Sequence, residues 1–266
     1  MTKFKKRLDK KGQITIFVII AIVIIAAVIL FFTLTQQGKN IVQQVTGSEA
    51  ALDVVGEITN CIENNEEINN KIALITSQGG SIAPENYILY NNSKVEYLCY
   101  SSDYLKTCYM QQPLLLQHIT QELQNAVRTD VESCFAKEKE LLESRGYNVN
   151  LGRINFSLEI TPDNLVFNIN TPMTITKTNS QTFKDFTIRK NSGLYQLIML
   201  STSILNFEAR YGDSDPALYM TLYPSVRVEK QRKSGGSKVY ILSDRDTNEV
   251  FMFASKSLAW PPGYKL

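Results

Sequence analysis

One uninterrupted apolar segment near the start of the chain limits what the chain can fold into. Residues 14–34 contain no charged residue, no proline and no glycine. At about 1.5 Å per residue, a helix of this length spans roughly 30 Å, the thickness of the hydrocarbon core of a bilayer. A helix also satisfies its own backbone hydrogen bonds, which lipid cannot do. The segment therefore predicts a transmembrane helix over residues 13–35.

The charges around this segment predict its orientation. Six basic residues precede it, opposed only by Asp9, whereas Lys39 is the single basic residue that closely follows it. Positive residues stay on the cytoplasmic side, so we expect a single-pass protein of the cell membrane with its N-terminus in the cytoplasm and its C-terminal part outside the cell. The 28 basic and 26 acidic residues of the chain become 22 and 25 beyond Gly12, because six basic residues and one acidic residue precede Gln13. The basic character is thus a topology signal and does not indicate nucleic-acid binding.

A cleaved secretory signal is the competing interpretation of the same segment. Such signals have an apolar stretch of about 7–15 residues that ends at a small-residue cleavage site. Here the stretch is longer and ends in Phe31, Phe32, Thr33 and Leu34, without that pattern. An uncleaved anchor, or cleavage before the helix, fits better.

The front of the segment, the run KKGQITIF at residues 10–17, resembles the class III signal peptide of archaeal type IV pilin-like proteins. The resemblance implies that a prepilin-type peptidase cuts between Gly12 and Gln13, and that the retained helix can pack into a filament core. Members of that family usually carry a Glu within the first few mature residues, where this chain has Phe17 and no acid. The front end is also similar to that of poorly characterised surface proteins of small-genome archaea.

The remaining chain predicts an extracytoplasmic α+β domain with two or three amphipathic helices followed by an antiparallel β-meander. We expect a basic cytoplasmic leader at 1–12, the transmembrane helix at 13–35 and a polar stalk at 36–47. A helical region with a Tyr-rich disulfide loop follows at 48–146. A β-rich region with one buried helix occupies 147–266.

Hydrophobic periodicity sets the expected elements. A three-four spacing of apolar residues predicts helices from residue 48 to the glycines at 79 and 80, from Pro113 to Gly146, and over residues 192–211. Alternation of apolar and polar residues predicts strands, with hairpin turns at 161–164 and 234–236. The expected strands cover residues 154–160, 165–169, 173–177, 183–189, 218–230, 237–243 and 249–254, with short strand-like pieces around 87–90 and 95–100.

Four cysteines lie beyond the predicted span, in a compartment where disulfides persist. They allow three pairings. Cys99 and Cys108 would close a short loop, while Cys61 and Cys134 lie on the apolar stripes of two predicted helices. This pairing is favoured as structural disulfides. A metal site or reactive thiols are the alternatives, but neither spacing supplies the close ligand pairs typical of zinc.

No residue is predicted to be catalytic, to bind a cofactor or to bind a metal. His118 is the only histidine, and without a partner it predicts a surface or half-buried helix residue more readily than a general base. The turn at 244–248 lacks the Gly and the final Glu of a calcium loop. Two clusters of three glutamates each alternate with Asn and Lys, which is typical of solvated helix faces. They are Glu63, Glu66 and Glu67, and Glu138, Glu140 and Glu143.

Three surface features remain open to two interpretations each. The basic run Arg227, Lys230, Arg232, Lys233 and Lys238 either protects an exposed hairpin or contacts anionic lipid or polysaccharide. Asn91 and Asn155 begin glycosylation acceptor patterns, which also arise by chance. Six tyrosines form either a contact surface or the packing of an irregular segment. They are Tyr87, Tyr90, Tyr97, Tyr100, Tyr104 and Tyr109.

The sequence therefore predicts a non-enzymatic structural or interaction protein of the cell surface, either a pilin-like subunit or an adhesive ectodomain. Its expected partners are membrane lipid and other proteins, or further copies of itself bound through the transmembrane helix. We expect no nucleic acid and no cofactor. An accessory subunit of a membrane or secretion complex is the alternative, and an extracytoplasmic hydrolase is a more distant one.

Overall fold

A computed structural model of the chain describes residues 53–257. The predicted leader, the transmembrane helix, the stalk and the Gly12–Gln13 processing site lie outside the described residues. No helix within residues 53–257 is long and apolar enough to cross a membrane.

The described part is a mixed α/β fold with five α-helices and two sheets, which agrees with the predicted combination of helices and antiparallel strands. The helices are α1 (Val54–Glu63), α2 (Glu66–Ser77), α3 (Leu115–Ser144), α4 (Leu194–Tyr211) and α5 (Pro216–Leu222). The first six strands are β1 (Tyr87–Tyr90), β2 (Ser93–Tyr100), β3 (Tyr109–Met110), β4 (Asn148–Leu151), β5 (Asn155–Ile160) and β6 (Asn164–Thr176). The others are β7 (Ser180–Asn191), β8 (Val226–Arg232), β9 (Ser237–Asp244) and β10 (Val250–Lys256).

The single helix expected from residue 48 to the glycines at 79 and 80 is wrong within the described residues, because the chain breaks between α1 and α2. Asn65 caps the second helix: its side-chain oxygen accepts hydrogen bonds from the backbone N–H groups of Glu67 (3.0 Å) and Ile68 (3.2 Å). Asn competes with the helical backbone in this way and favours helix starts over helix interiors. The apolar spacing continues across the break, so periodicity alone does not reveal it.

The strand expected over residues 218–230 is also wrong in its first part. Residues Pro216–Leu222 form α5, and β8 begins only at Val226. The Asp215 side chain accepts a hydrogen bond from the backbone N–H of Ala217, and Pro216 occupies the first helical turn. An Asp followed by Pro is a helix-start signal.

The first sheet has the strand order β1-β2-β10-β9-β8, with β3 also paired to β2. The β8–β9–β10 part is an antiparallel meander, as predicted. β2 and β10 are parallel, which the predicted meander did not include. This pairing joins the predicted helical region to the predicted β-rich region in one sheet.

The second sheet is antiparallel and centres on β6, with β5 and β4 along one edge and β7 along the other. The strands expected over 165–169 and 173–177 are one strand with an irregular register between Asn170 and Met173. Pro172 lies in this irregularity, and its carbonyl accepts a hydrogen bond from the backbone N–H of Gly152 (2.8 Å). Proline has no N–H for the ladder, so irregular positions are where strands tolerate it.

The core lies between the sheets and the helices. α3 buries one stripe against α1, α2, β4 and β5, and α4 packs against β2, β9 and β10, which confirms the predicted buried helix. On the opposite face of the first sheet, Val95, Tyr97, Val239 and Ala254 form a second, smaller apolar cluster.

Both disulfides have the favoured pairing. Cys61–Cys134 links α1 to α3, with 5.9 Å between the Cα atoms, and Cys99–Cys108 closes the loop between β2 and β3. None of the four cysteines is free. A disulfide removes conformational freedom from the unfolded chain, so each bridge restrains the part of the fold that it closes.

A buried carboxylate connects α4 to the first sheet. Glu208 is fully buried, and its side chain accepts hydrogen bonds from Lys238 Nζ (2.6 Å), Ser255 Oγ (2.8 Å), the Tyr240 hydroxyl and the backbone N–H of Ser214 (3.0 Å). Lys238 is itself 5% exposed. Burial, together with the neighbouring Glu208 carboxylate, raises the pKa of Tyr240 above its ordinary value, so the phenol stays a proton donor.

A second carboxylate extends this cluster toward the surface. Asp213 accepts hydrogen bonds from Lys230 (2.9 Å) and Arg232 (2.6 Å), and Lys238 lies 3.5 Å away. Burial acts to raise the pKa of Asp213, but the hydrogen bonds from Lys230 and Arg232 outweigh burial and lower it. Asp213 therefore stays ionised and neutralises part of the surrounding positive charge.

Replacing Lys238 by Met tests the buried ion pair. Breaking a buried pair leaves an uncompensated charge, so we expect Lys238→Met to lower the free energy of unfolding by about 3–5 kcal/mol. The double variant Glu208→Gln/Lys238→Met leaves no unpaired charge, and we expect it to lose less than Lys238→Met alone. Urea unfolding of the two variants measures this. A double variant that is less stable than Lys238→Met would contradict the account.

Candidate interaction surface

One edge of the first sheet carries exposed aromatic and apolar side chains. β1 pairs with residues 93–96 of β2, and β3 pairs with residues 99 and 100, on the side of β2 that faces away from β10. The two short strands therefore follow one another along a single edge. We call the exposed aromatic and apolar side chains on β1, on β3 and on the chain segments directly before and after β3 the aromatic edge. They are Tyr87, Leu89, Tyr104, Leu105, Tyr109 and Leu114.

These side chains are unusually open for their type. Tyr104 is 75% exposed, Leu114 69%, Leu89 66% and Tyr109 58%. Single exposed apolar residues are normal on protein surfaces, but contiguous groups mark sites where another molecule binds. Four of the six residues lie between positions 104 and 114, in the chain segment that contains the disulfide loop and β3.

The loop that carries Tyr104 and Leu105 is fixed at both ends. Cys99–Cys108 closes it, and the backbone N–H of Cys108 donates to Ser257 Oγ (3.0 Å). Leu105 has a φ of 61°, the left-handed region that non-glycine residues seldom adopt. The loop therefore holds its exposed tip in a defined conformation, which reduces the entropy lost on binding.

The six tyrosines singled out in the sequence divide between the two interpretations. Tyr97 is buried, and its hydroxyl lies 2.9 Å from Ser237 Oγ, while Tyr90 and Tyr100 are half-buried against the apolar cluster around it. The three others, Tyr87, Tyr104 and Tyr109, are exposed. Half of the group therefore packs the sheet, and half is available for contact.

His118 lies in a polar cluster that sequence reasoning missed. The Ser81 hydroxyl donates to Glu96 Oε2 (2.6 Å), and His118 Nε2 lies 3.1 Å from the same hydroxyl. Glu122, one turn beyond His118 on α3, accepts a hydrogen bond from the backbone N–H of Ile82 (3.0 Å). The histidine is half-buried, as predicted, but it contacts Ser81, which in turn is bonded to Glu96 on β2.

Two glycines allow this cluster to form. Gly79 and Gly80 both have positive φ, and a Cβ atom on them would lie 2.7 Å from Glu96 Cβ and 2.5 Å from Ile119 Cγ1. Only glycine lets the chain after α2 approach β2 and α3 this closely. The Gly-Gly-Ser run is the sequence signal that could have pointed to the cluster.

The order of the contacts differs from a catalytic triad. In a triad the acid orients the imidazole, and the imidazole contacts the serine. Here the carboxylate contacts the serine itself, so the Ser81 proton is already donated to Glu96. Burial is the main reason that the pKa of Glu96 is raised, and the nearby Glu122 and Glu85 carboxylates add to it.

The acidic groups only partly follow their predicted places. Glu66, Glu67, Glu140 and Glu143 are exposed, but the expectation of a solvated position is wrong for Glu138, which is 6% exposed. Burial, and then the Glu57 carboxylate, raise the pKa of Glu138. Among residues 53–257 no group of three His, Cys, Asp or Glu side chains is placed to hold a metal ion.

The turn at 244–248 is held by its own first side chain. Asp244 Oδ1 accepts hydrogen bonds from the backbone N–H groups of Asp246 (2.8 Å) and Thr247 (2.9 Å). An Asp that bonds the backbone two and three residues later stabilises a turn directly.

The basic run does not form one open cationic surface, as contact with lipid or polysaccharide along the hairpin would require. Lys230, Arg232 and Lys238 are directed to Asp213 and Glu208. Arg227 pairs with Glu229 (3.0 Å), and the Lys233 ammonium lies 4.8 Å from the centre of the Tyr90 ring. Lys238 is buried and Lys230 is half-buried, whereas the other three residues of the run are exposed, so the run divides between the interior and the surface.

Both glycosylation candidates are at exposed positions. Asn91 lies in the two-residue turn between β1 and β2, where Asn91 and Asn92 have φ of 47° and 66°. Asn155 is the first residue of β5. Modification of either remains a prediction.

No protein-family model, curated protein or solved structure matches this chain.

Replacing Glu96 by Gln tests the cluster at Ser81. Because the pKa of Glu96 is raised in the folded state, its contribution to stability is present below its unfolded pKa and is lost as pH rises through the raised value. The glutamine amide oxygen would still accept the Ser81 hydrogen bond, and the amide would not titrate. We expect the melting temperature of Glu96→Gln, relative to the wild type, to increase from about pH 4 to about pH 7.

The exposed Glu140 provides the matched control for this measurement. Glu140→Gln removes one negative charge from α3 without touching the cluster, so it corrects for the change in net charge. A Glu96→Gln difference that falls with pH, or that equals the Glu140→Gln difference, would contradict the role given to burial.

Proposed function

We propose that this chain is a membrane-anchored cell-surface protein that acts by binding another protein and not by catalysis. The observation that carries the proposal is the aromatic edge on a disulfide-bonded domain. In the proposal, the apolar segment at residues 13–35 anchors the chain, and the domain that follows is displayed outside the cell.

The two disulfides support an extracellular location. Disulfides persist in oxidising compartments and are rare in the cytosol. The pairs Cys61–Cys134 and Cys99–Cys108 use every cysteine of the chain. This is the usage expected of a chain whose C-terminal part is exported, as the charges around the apolar segment predict.

The aromatic edge has the chemistry of a protein-binding surface. Tyrosine supplies a large contact area with few rotatable bonds and a hydroxyl that can hydrogen-bond at the rim of an interface. Tyr104 and Leu105 lie on the loop closed by Cys99–Cys108, so little conformational freedom is lost when a partner binds. β1 and β3 are only four and two residues long, which limits unspecific strand pairing along this edge.

Site-specific crosslinking tests the aromatic edge. We expect p-benzoylphenylalanine in place of Tyr104 to give a discrete protein adduct when intact cells that display the full chain are irradiated. The matched control carries p-benzoylphenylalanine in place of Leu222, which is 63% exposed on α5, and it should not give that adduct. Both positions are open to solvent, so only a partner at the aromatic edge distinguishes them.

A second substitution makes this result specific to the surface. Tyr109→Ser in the chain that carries the crosslinker at position 104 should weaken binding, and with it the adduct, by about tenfold or more, because truncating a central interface tyrosine costs about 2 kcal/mol or more. The same adduct from position 222, or an adduct unaffected by Tyr109→Ser, would contradict the proposal.

The pilin-like part of the proposal concerns Gly12 and Gln13. We expect N-terminal sequencing of the protein from its native membrane to begin at Gln13, since the resemblance to class III signal peptides implies cleavage there. A start at Met1 would overturn the processing step and leave a plain signal anchor. Accessibility of the domain to protease added outside intact cells measures its display independently of that step.

A further inference from the structure

A cavity of about 220 Å³ lies between the chain that leaves α4 and the turn that joins β8 to β9. Arg232, Lys233 and Lys238 line it together with a single carboxylate, Asp213. The wall therefore carries three positive charges against one negative charge. Behind the lining, Lys230 pairs with Asp213, and Glu208 pairs with Lys238. The positive charge of Lys230 and the negative charge of Glu208 cancel, so these two residues leave the excess unchanged.

The positive excess contrasts with the rest of the exported part, where acidic residues outnumber basic ones, 25 to 22, beyond Gly12. A concave site that concentrates one sign of charge attracts ligands of the opposite sign. Asp213 offsets only one of the three positive charges, and its two oxygens accept hydrogen bonds from Lys230 and Arg232.

Donors remain available at the mouth of the cavity. Arg232 directs Nη2 to Asp213, but a guanidinium has five N–H donors, and this side chain is 63% exposed. Lys233 is exposed, its ammonium lies over the Tyr90 ring, and it forms no ion pair within residues 53–257. Ser257 Oγ accepts the backbone N–H of Cys108, which leaves its own hydroxyl proton to donate.

The backbone of the turn adds to these side chains. Ser234–Gly236 is a short 3-10 turn in which Gly235 is left-handed, with φ 70° and ψ 25°. Gly236 also has a positive φ, 78°. Turns that contain left-handed residues can direct consecutive N–H groups toward one point, as in anion-binding turns. Gly236 borders the cavity.

We propose that this cavity binds a phosphate-type oxyanion, either free phosphate or the phosphorylated headgroup of a lipid. Arg232 and Lys233 contact it from the mouth, and the Ser257 hydroxyl donates from the wall. An arginine beside a lysine suits a phosphate, because the planar guanidinium can donate to two oxygens at once. The site goes beyond the protein-binding function proposed for the aromatic edge.

Binding of inorganic phosphate to the full chain in detergent micelles tests the site. We expect saturable binding by calorimetry, and a rise in melting temperature with phosphate but not with chloride at equal ionic strength. Lys233→Gln should raise the dissociation constant for phosphate about tenfold, because it removes one charged donor. Arg227→Gln is the matched control on β8: its side chain pairs with Glu229 and does not line the cavity, so it should leave the constant unchanged.

The melting temperature without phosphate shows whether each variant is folded. A variant of the other residue at the mouth, Arg232→Gln, also loses its contact with Asp213. If that variant unfolds, Lys233→Gln alone decides the result. Vesicles that contain phosphatidic acid distinguish the two sources of the oxyanion. Vesicles that compete with phosphate for the site indicate a lipid headgroup, and vesicles that do not compete indicate the free ion. Equal binding by Lys233→Gln and the wild type, or no saturable binding of either ligand, would overturn the proposal.

Discussion

The buried carboxylate of Glu208 is the constraint on which the arrangement of α4 and the first sheet depends. A glutamate without exposure is tolerated only when a cation and further donors replace the water that it has lost. Its partners come from β9, from β10 and from the backbone that follows α4. These groups satisfy the carboxylate together only when α4 lies across β9 and β10. The same geometry places Asp213 beside Lys230 and Arg232, and thereby forms the wall of the cationic cavity.

Local periodicity was enough to predict much of the fold. The stripe on α3, the apolar face of α4 and the hairpins β5–β6 and β8–β9 are all visible as repeated spacings in the sequence. The break at Asn65 and the start of α5 at Asp215 depend on single side chains that bond the backbone, and these override the surrounding pattern. The parallel pairing of β2 with β10 joins residues 156 or 157 positions apart, such as Cys99 and Ser255, and no local pattern encodes such a pairing.

The partners of the polar side chains were also not predictable from local spacing in the sequence. His118 is isolated along the sequence, yet the fold brings Ser81 and Glu96 to it from two other segments. The five basic residues near the glycine turn look equivalent in the sequence, but alternation along β8 and β9 directs Lys230 and Lys238 inward. Lys233 lies between the two strands and is exposed. The exposed tyrosines were predictable only as a group, because burial of Tyr97 depends on strands that the sequence does not place beside it.

One contact joins the cationic cavity to β1, the strand that carries part of the aromatic edge. The Lys233 ammonium lies 4.8 Å from the centre of the Tyr90 ring, and an exposed cation–π contact contributes about 0.5–1 kcal/mol. A hydrogen bond from an ammonium to a charged acceptor contributes about 1.5–3 kcal/mol. An oxyanion bound at the proposed site would therefore outcompete the ring for Lys233. Occupation of the cavity would remove this one contact from Tyr90, which still packs against the apolar cluster around Tyr97, so the proposed anion site would be linked to β1 only through this single side chain.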